Sequence, residues 1–173
     1  MRFARRAFIP ALVFGAVALL SVFGTGQRAY AQAMCLGLPA TQEGDAGDNV
    51  ITGTPGDDVI HGLGGNDTID GLGGNDRICG GAGDDTLNGG DGNDALDGGL
   101  SDDTLVGGLD DDSLTGGWGT DSLGGGPGND GLDGGGGDDS LIGVNGNDSL
   151  DGKPGNDTLW GSPYQVRLGS YGD

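Results

Sequence analysis

Residues 62–97 read GLGGNDTID, GLGGNDRIC, GGAGDDTLN and GGDGNDALD, four consecutive units of nine residues. The same frame continues without insertion from Gly44 to Trp160, which gives thirteen units and 117 residues. Gly occupies position one in all thirteen units and position four in eleven, Asp occupies position six in twelve, and Ile or Leu occupies position eight in all thirteen. The exceptions are Ser101 and Asp110 at position four and Asn49 at position six. Four positions held over thirteen units argue against a disordered, Gly-rich tail.

The composition excludes a conventional globular core and most anionic partners. Of 173 residues, 43 are Gly, 27 are Asp or Glu and only 7 are Lys or Arg. All four Phe residues precede position 24, so the repeats lack the large apolar side chains that offset conformational entropy. The formal net charge is −20. Nucleic acid is therefore not expected as a partner, because no basic patch is present to neutralise phosphates, whereas cations are.

The repeat resembles the repeats-in-toxin, or haemolysin-type, calcium-binding family, whose signature is G-G-x-G-x-D-x-U-x with U apolar. The resemblance covers residues 44–160. It implies an all-β fold, a right-handed parallel β-roll in which two units make one turn and equivalent strands stack every 18 residues. It also implies that Asp residues at position six bind Ca²⁺ ions shared with the stacked turn two units away.

Position eight supplies the predicted core. Successive side chains of a strand alternate between its two faces, so the eighth residue points inward while its neighbours point outward. One sheet is expected to stack Ile60, Ile78, Leu96, Leu114, Leu132 and Leu150. The other is expected to stack Ile51, Ile69, Leu87, Leu105, Leu123, Leu141 and Leu159.

The predicted Ca²⁺ ligands are carboxylates and backbone carbonyls of the turns. Ca²⁺ takes six to eight oxygen ligands of both kinds, and Gly lets carbonyl groups approach an ion closely. The carboxylate ligands are Asp58, Asp67, Asp76, Asp85, Asp94, Asp103, Asp112, Asp121, Asp130, Asp139, Asp148 and Asp157. The carbonyl ligands include those of Gly62, Gly71, Gly80, Gly89, Gly98, Gly125, Gly134 and Gly143. Weaker or missing ions are expected around Asn49, Ser101 and Asp110.

Electrostatic repulsion makes the ions a condition of folding. Stacked strands bring equivalent Asp carboxylates to a spacing of about 5 Å. Two unit charges at that distance repel by roughly 3 kcal/mol at an effective dielectric constant of 20. The sequence therefore predicts an unfolded chain without Ca²⁺ and a folded one with it. The expected dissociation constants are about 10⁻⁴ to 10⁻³ M, the range of extracellular modules.

Residues 1–33 are predicted to be a cleaved signal peptide. Arg residues lie at its start, a 13-residue apolar run follows from Ala11 to Phe23, and cleavage is expected after Ala31 or Ala33. The run is short for a membrane span, although a retained anchor is the alternative. Secretion, with no membrane span after cleavage, is the expectation. Residues 34–43 are predicted to form an N-terminal cap, and residues 161–173 a C-terminal cap or tail.

The cysteines and the single histidine suggest no catalytic site. Cys35 and Cys79 are the two cysteines, and in an oxidising compartment one disulfide is expected, with free thiols or an intermolecular bridge as alternatives. His61 is the one histidine and falls at an outward strand position. The chain is therefore not expected to be an enzyme.

One outward position leaves the biological role open. It holds a column of hydroxyl side chains that resembles the ice-binding faces of some β-solenoids, although Ser and Thr are also common at exposed strand positions. The column consists of Thr68, Thr86, Thr104, Ser122, Ser140 and Thr158. The favoured function is extracellular Ca²⁺ binding that folds and stiffens the protein. The alternatives are an adhesive or matrix protein with a cell-surface or polysaccharide partner, and a detached module of a larger secreted enzyme.

Overall fold

The computed structural model describes residues 34–161 and 167–168. The predicted signal peptide, residues 1–33, and most of the predicted tail lie outside the described residues. Within the described part of the chain all regular structure is β-strand, and no helix there is long and apolar enough to cross a membrane. The strands are β1 (Met34–Cys35), β2 (Leu38–Pro39), β3 (Gln42–Glu43), β4 (Val50–Thr52), β5 (Val59–Gly64), β6 (Thr68–Asp70), β7 (Arg77–Ala82), β8 (Thr86–Asp91), β9 (Ala95–Leu100), β10 (Thr104–Leu109), β11 (Ser113–Trp118), β12 (Ser122–Pro127), β13 (Gly131–Gly136), β14 (Ser140–Asn145), β15 (Ser149–Asp151), β16 (Thr158–Trp160) and β17 (Arg167–Leu168).

The repeats wind into a solenoid with two parallel sheets. Even-numbered strands from β4 to β16 form a seven-stranded sheet, and odd-numbered strands from β3 to β17 form an eight-stranded sheet. Partners within a sheet are two units apart, as in the pairs Ile60 with Ile78 and Leu105 with Leu123. Two units therefore make one turn, which confirms the predicted parallel β-roll and its register of 18 residues.

Position eight forms the core, as predicted. Eleven of its thirteen side chains are at most 2 % exposed and belong to a single hydrophobic cluster. Ile51 and Leu159, at the two ends of the repeats, are partly buried and pack against it. Full burial of one aliphatic side chain contributes about 1.5–3 kcal/mol, so the two columns form a core without aromatic residues.

The segment before the repeats extends the eight-stranded sheet. In β3, Gln42 lies opposite Ile60 and Glu43 lies opposite His61, in the same register as the repeats. Gln42 therefore ends an aliphatic column with a polar side chain. The structure also joins Cys35 to Cys79 by a disulfide with 5.7 Å between the Cα atoms, which ties this segment to β7.

From the third unit onward, position two of the repeat adopts a left-handed backbone that the sequence analysis did not identify. It is Gly in most of the later units, but Leu63, Leu72, Val144 and Lys153 occupy it with φ between 63° and 80°. A left-handed backbone places Cβ close to the following carbonyl oxygen, and a β-branched residue such as Val144 is the least suited to it.

We expect Val144→Gly to raise the free energy of unfolding in saturating Ca²⁺. Relief of the left-handed strain, about 1–2 kcal/mol, exceeds the entropic cost of a new Gly, about 0.5–1 kcal/mol. The matched control is Ile142→Gly, in the same strand and with a similarly exposed side chain but without a positive φ. It is expected to lower stability. Denaturant unfolding of both variants measures the difference, and equal losses would contradict the strain at position two.

Candidate metal centre

The position-six aspartates lie where each turn enters its strand. The backbone carbonyl of each accepts a hydrogen bond from the strand one turn later, as in Thr86 N–H to Asp67 O at 2.8 Å. This ladder fixes the backbone and turns the carboxylate into the solenoid. Asp67, Asp76 and the further position-six residues up to Asp148 are 1–4 % exposed.

One oxygen of each position-six carboxylate from Asp67 to Asp157 is bonded to the backbone. Its Oδ1 atom accepts a hydrogen bond from the N–H of the position-six residue one turn earlier. For example, Asp76 N–H donates to Asp94 Oδ1, and the eleven bonds of this kind measure 2.7–3.1 Å. The bonds join consecutive turns and hold every carboxylate in the same orientation.

The second oxygen, Oδ2, lacks a hydrogen-bond partner. This holds for ten buried carboxylates, which are Asp67, Asp76, Asp85, Asp94, Asp103, Asp112, Asp121, Asp130, Asp139 and Asp148. A buried, ionised oxygen without a partner is costly, and a coordinated cation removes that cost. Each of the ten Oδ2 atoms therefore has the same need for a cation, and this need recurs along the solenoid.

Near each of several position-one glycines, the Oδ2 atom of the same turn lies close to a backbone carbonyl oxygen of the next turn. A Cβ atom added to Gly62 would collide with Asp67 Oδ2 and lie 2.6 Å from the carbonyl oxygen of Gly80, one turn later. The same pairing recurs at Gly71 and Gly98, where the carbonyl oxygen of the next turn again lies 2.6 Å away. Position one is thus Gly because a side chain would fill the space between a carboxylate and a carbonyl of stacked turns.

Most of the predicted carbonyl ligands lie beside a side-chain oxygen of the preceding turn. The carbonyls of Gly71, Gly80, Gly89, Gly98 and Gly134 lie beside a carboxylate oxygen, and that of Gly62 lies beside the amide oxygen of Asn49. At Gly107 and Gly125 the three atoms nearest to an added Cβ all belong to the Asp side chain of the same turn. The carbonyls of Gly125 and Gly143 are therefore not placed beside a carboxylate in this way, and all eight carbonyls stay predicted ligands.

The oxygen pairs suit Ca²⁺, a hard cation that mixes carboxylate and carbonyl ligands. Among the described residues no group of three or more His, Cys, Asp or Glu side chains is placed to hold a metal ion. An ion here would thus depend on backbone carbonyls as much as on carboxylates. The stacked Gly-rich turns place such carbonyls beside the carboxylates of Asp67, Asp76, Asp85, Asp94, Asp103 and Asp121.

The N-terminal turns differ from the rest. Asp58 Oδ2 accepts hydrogen bonds from the N–H of Thr54 at 2.7 Å and from its hydroxyl at 2.9 Å. Asn49 Oδ1 accepts the N–H of Asp45 at 2.7 Å. In these turns, hydrogen-bond donors of the protein therefore satisfy the side-chain oxygens whose counterparts in later turns have no partner. At the other end Asp157 is only half-buried, and its Oδ1 accepts the N–H of Asp139 at 3.0 Å.

The turns at Ser101 and Asp110 keep the common geometry. Both residues adopt a left-handed φ, of 82° and 74°. The carboxylates that follow them, of Asp103 and Asp112, accept the same backbone bonds as their neighbours, at 2.8 Å. The expected weakness of ions at these turns stays a prediction.

Position five forms a second ladder that the sequence analysis missed. Its side-chain oxygen accepts the N–H of the position-five residue one turn later, as in Asn75 N–H to Asp57 Oδ1 at 2.8 Å. Ten such bonds measure 2.7–3.3 Å. The signal was present, because position five is Asp or Asn in twelve of thirteen units, with Thr120 the exception.

Burial raises the pKa of the position-six carboxyl groups. Desolvation is the main cause, and in most cases neighbouring Asp charges add to it while the bond from the backbone N–H opposes it. The pKa reaches about 7 for Asp103 and Asp112. It reaches about 6 for Asp76, Asp85, Asp121 and Asp130.

We expect Gly89→Ala to destabilise the calcium-bound fold. The new Cβ would collide with Asp94 Oδ2 and lie 2.6 Å from the carbonyl oxygen of Gly107. Overpacking of this kind costs about 1–3 kcal/mol. The matched control is Gly131→Ala, whose Cβ meets nothing nearer than 3.9 Å and whose φ is not left-handed. In calcium titrations followed by circular dichroism, the CaCl₂ midpoint should rise for Gly89→Ala and not for Gly131→Ala. Equal rises in both variants would refute the requirement for open space at position one.

Acidification should favour the coil in the absence of Ca²⁺. The carboxyl pKa values are higher in the ion-free coil than in the unfolded chain, so the coil binds more protons. Its stability is greatest at low pH and is lost as the pH rises through about 6 to 7. In EGTA, lowering the pH from 7.5 to 5 should therefore increase the β-type circular dichroism signal. A loss of that signal on acidification would contradict the burial of these groups.

Comparison with known proteins agrees with this geometry. The family model of the RTX calcium-binding nonapeptide repeat matches in four copies, over residues 43–78, 73–105, 97–132 and 133–163. No curated protein matches the chain. The matches span well over half of the sequence and coincide with the β-roll. The chain therefore belongs to the family of RTX calcium-binding repeat proteins.

Proposed function

We propose that this chain is a secreted protein whose β-roll folds when Ca²⁺ ions bind between its stacked turns. The observation that carries the proposal is the row of ten buried Oδ2 atoms without a hydrogen-bond partner. A single such atom is a local defect. Ten in register on a chain of net charge −20 support cation binding along the whole solenoid at neutral pH.

The proposed ligands are the position-six carboxylates from Asp67 to Asp157 and the carbonyl oxygens of the glycines one turn later. Asp58 is assigned a different role, because Thr54 already donates two hydrogen bonds to its Oδ2. Asp58 lies at the N-terminal end of one row of proposed sites. Asn49, through its bond with Asp45, lies at the N-terminal end of the other row. The two ion rows then begin at Asp67 and Asp76.

Secretion fits the expected affinity. Sites with dissociation constants near 10⁻⁴ to 10⁻³ M are empty in cytosol and filled outside the cell. The chain would then cross the membrane unfolded and fold on arrival, since metal binding and folding are coupled. Residues 1–33 have the composition of the signal that directs such export.

The proposal includes no catalytic step. Cys35 and Cys79 are joined to each other, so neither offers a thiolate nucleophile. His61 lies beside Glu43 and Cys79 in the ladder of the eight-stranded sheet, and burial lowers its pKa. We therefore assign the buried acids to ion binding alone.

Circular dichroism of the chain recovered from the medium of a secreting host tests the function. In EGTA at pH 7.5 the spectrum should be that of a disordered chain, and CaCl₂ but not MgCl₂ should produce a cooperative β-type signal. Mass spectrometry of the same sample should find an N-terminus after Ala31 or Ala33. A β-type spectrum that is complete in EGTA at pH 7.5 would show that the coil stands without ions and would overturn the proposal.

A matched pair of variants locates the ions. Asp94→Asn removes the charge from a buried position-six carboxylate, whereas Asp91→Asn removes an exposed charge from the same turn. The CaCl₂ midpoint should rise for Asp94→Asn and stay near that of the unchanged chain for Asp91→Asn. If the midpoint instead followed net charge, with equal shifts, the position-six assignment would fail.

A further inference from the structure

The outer face of the seven-stranded sheet carries no charge over its C-terminal half. Strands β10, β12, β14 and β16 read TLVGGL, SLGGGP, SLIGVN and TLW, without one ionisable side chain. In the eight-stranded sheet, by contrast, Asp97, Asp133 and Asp151 lie in strands β9, β13 and β15. On a chain with 27 acidic residues this is an unusual surface. The neutral face is defined by Thr104, Val106, Ser122, Gly124, Ser140, Ile142, Thr158 and Trp160.

Large apolar side chains are exposed on the neutral face. Trp160 is 65 % exposed, Val106 44 % and Ile142 43 %. The ladder places Gly124 between Val106 and Ile142, and Trp160 beside Ile142, so these residues form one row that Gly124 interrupts. Exposed apolar side chains grouped on one face and bordered by polar turns are characteristic of an interaction site.

A row of hydroxyl groups runs parallel to the apolar row. Thr104, Ser122, Ser140 and Thr158 are in register at position seven of successive strands. Three strand spacings give the two rows a length of about 14 Å. The face therefore offers hydrogen-bonding groups and an apolar strip side by side, repeated at each strand.

We propose that the neutral face binds an uncharged, extended polysaccharide. Pyranose rings have apolar C–H faces that suit Trp160 and Ile142, and hydroxyl edges that suit the Ser and Thr row. A linear polymer also repeats along its length, as the face does. The inference rests on the proposed calcium-folded state, because the two rows exist only when the strands stack.

Charge excludes the competing partners. The neutral face has no basic side chain with which to bind an acidic polymer, and a cationic polymer would be drawn to the acidic turns instead. Ice would require a regular lattice of contacts, whereas Gly124 and Trp160 make the apolar row uneven.

Retention on insoluble glycans tests the proposal. The full chain in CaCl₂, with its β-type spectrum verified, is applied to microcrystalline cellulose, to an unbranched uncharged β-glucan, and to an acidic alginate gel. Retention is expected on a neutral glycan and not on alginate. A chain that folds with Ca²⁺ but binds neither neutral glycan overturns this inference and leaves the proposed function standing, whereas a chain that fails to fold is seen in the spectrum first.

Two pairs of variants show which face is used. Trp160→Ala should weaken retention about tenfold, and Trp118→Ala, which removes an exposed tryptophan from β11 in the other sheet, should not. Ser140→Asp should abolish retention, whereas Ser113→Asp, at the same repeat position in β11, should not. Equal effects within either pair overturn the inference. So does ice-growth inhibition without glycan retention, or a dimer in sedimentation equilibrium that Ser140→Asp dissociates.

Discussion

The buried Oδ2 atom of the position-six aspartate is the constraint on which the rest of the solenoid depends. Its companion oxygen is satisfied by a backbone N–H of the preceding turn, which fixes the carboxylate and buries both oxygens. The fold thereby creates a charge that the protein alone does not neutralise. A cation between turns converts this repulsion into a link between them. In the proposed calcium-bound state, stability is therefore shared between an aliphatic core and an ionic column.

Glycine serves this arrangement in two different ways. At position one the backbone is not left-handed, and Gly is needed because a Cβ atom would fill the space between Oδ2 and the next carbonyl oxygen. At position two from the third unit onward, and at most residues of position four, the backbone is left-handed, and side chains are tolerated at a cost. This difference explains why position one is Gly throughout, whereas Leu63, Val144 and Ser101 occur at the other two.

The sequence was sufficient to predict the sheets, the register and the core, because position eight has an unbroken period and alternates with outward residues. Position six could also be identified as the source of carboxylates. The two roles of its oxygens could not, because they depend on the distance between stacked turns. The position-five ladder was overlooked although Asp or Asn marks it, since both residue types are common in turns. The contact between Thr54 and Asp58 was not predictable, because it occurs only at one end of a repeating array, where Thr stands at a position that is Gly or another residue in later units.

The repeat restricts some positions and leaves others free, and the free positions are where one member of such a family can differ from another. Position one is restricted by the space between a carboxylate and a carbonyl, and position four by the turn. Position six is restricted by the proposed ion, and position eight by the core. Positions seven and nine point outward and face no such requirement, yet in β10, β12, β14 and β16 they are all uncharged. Acidic side chains would be the default there on a chain of this composition, and the eight-stranded sheet has them. The proposed ion binding involves position six and the carbonyls of the turns. It does not explain the difference between the outer faces of the two sheets, whereas the proposed polysaccharide partner does.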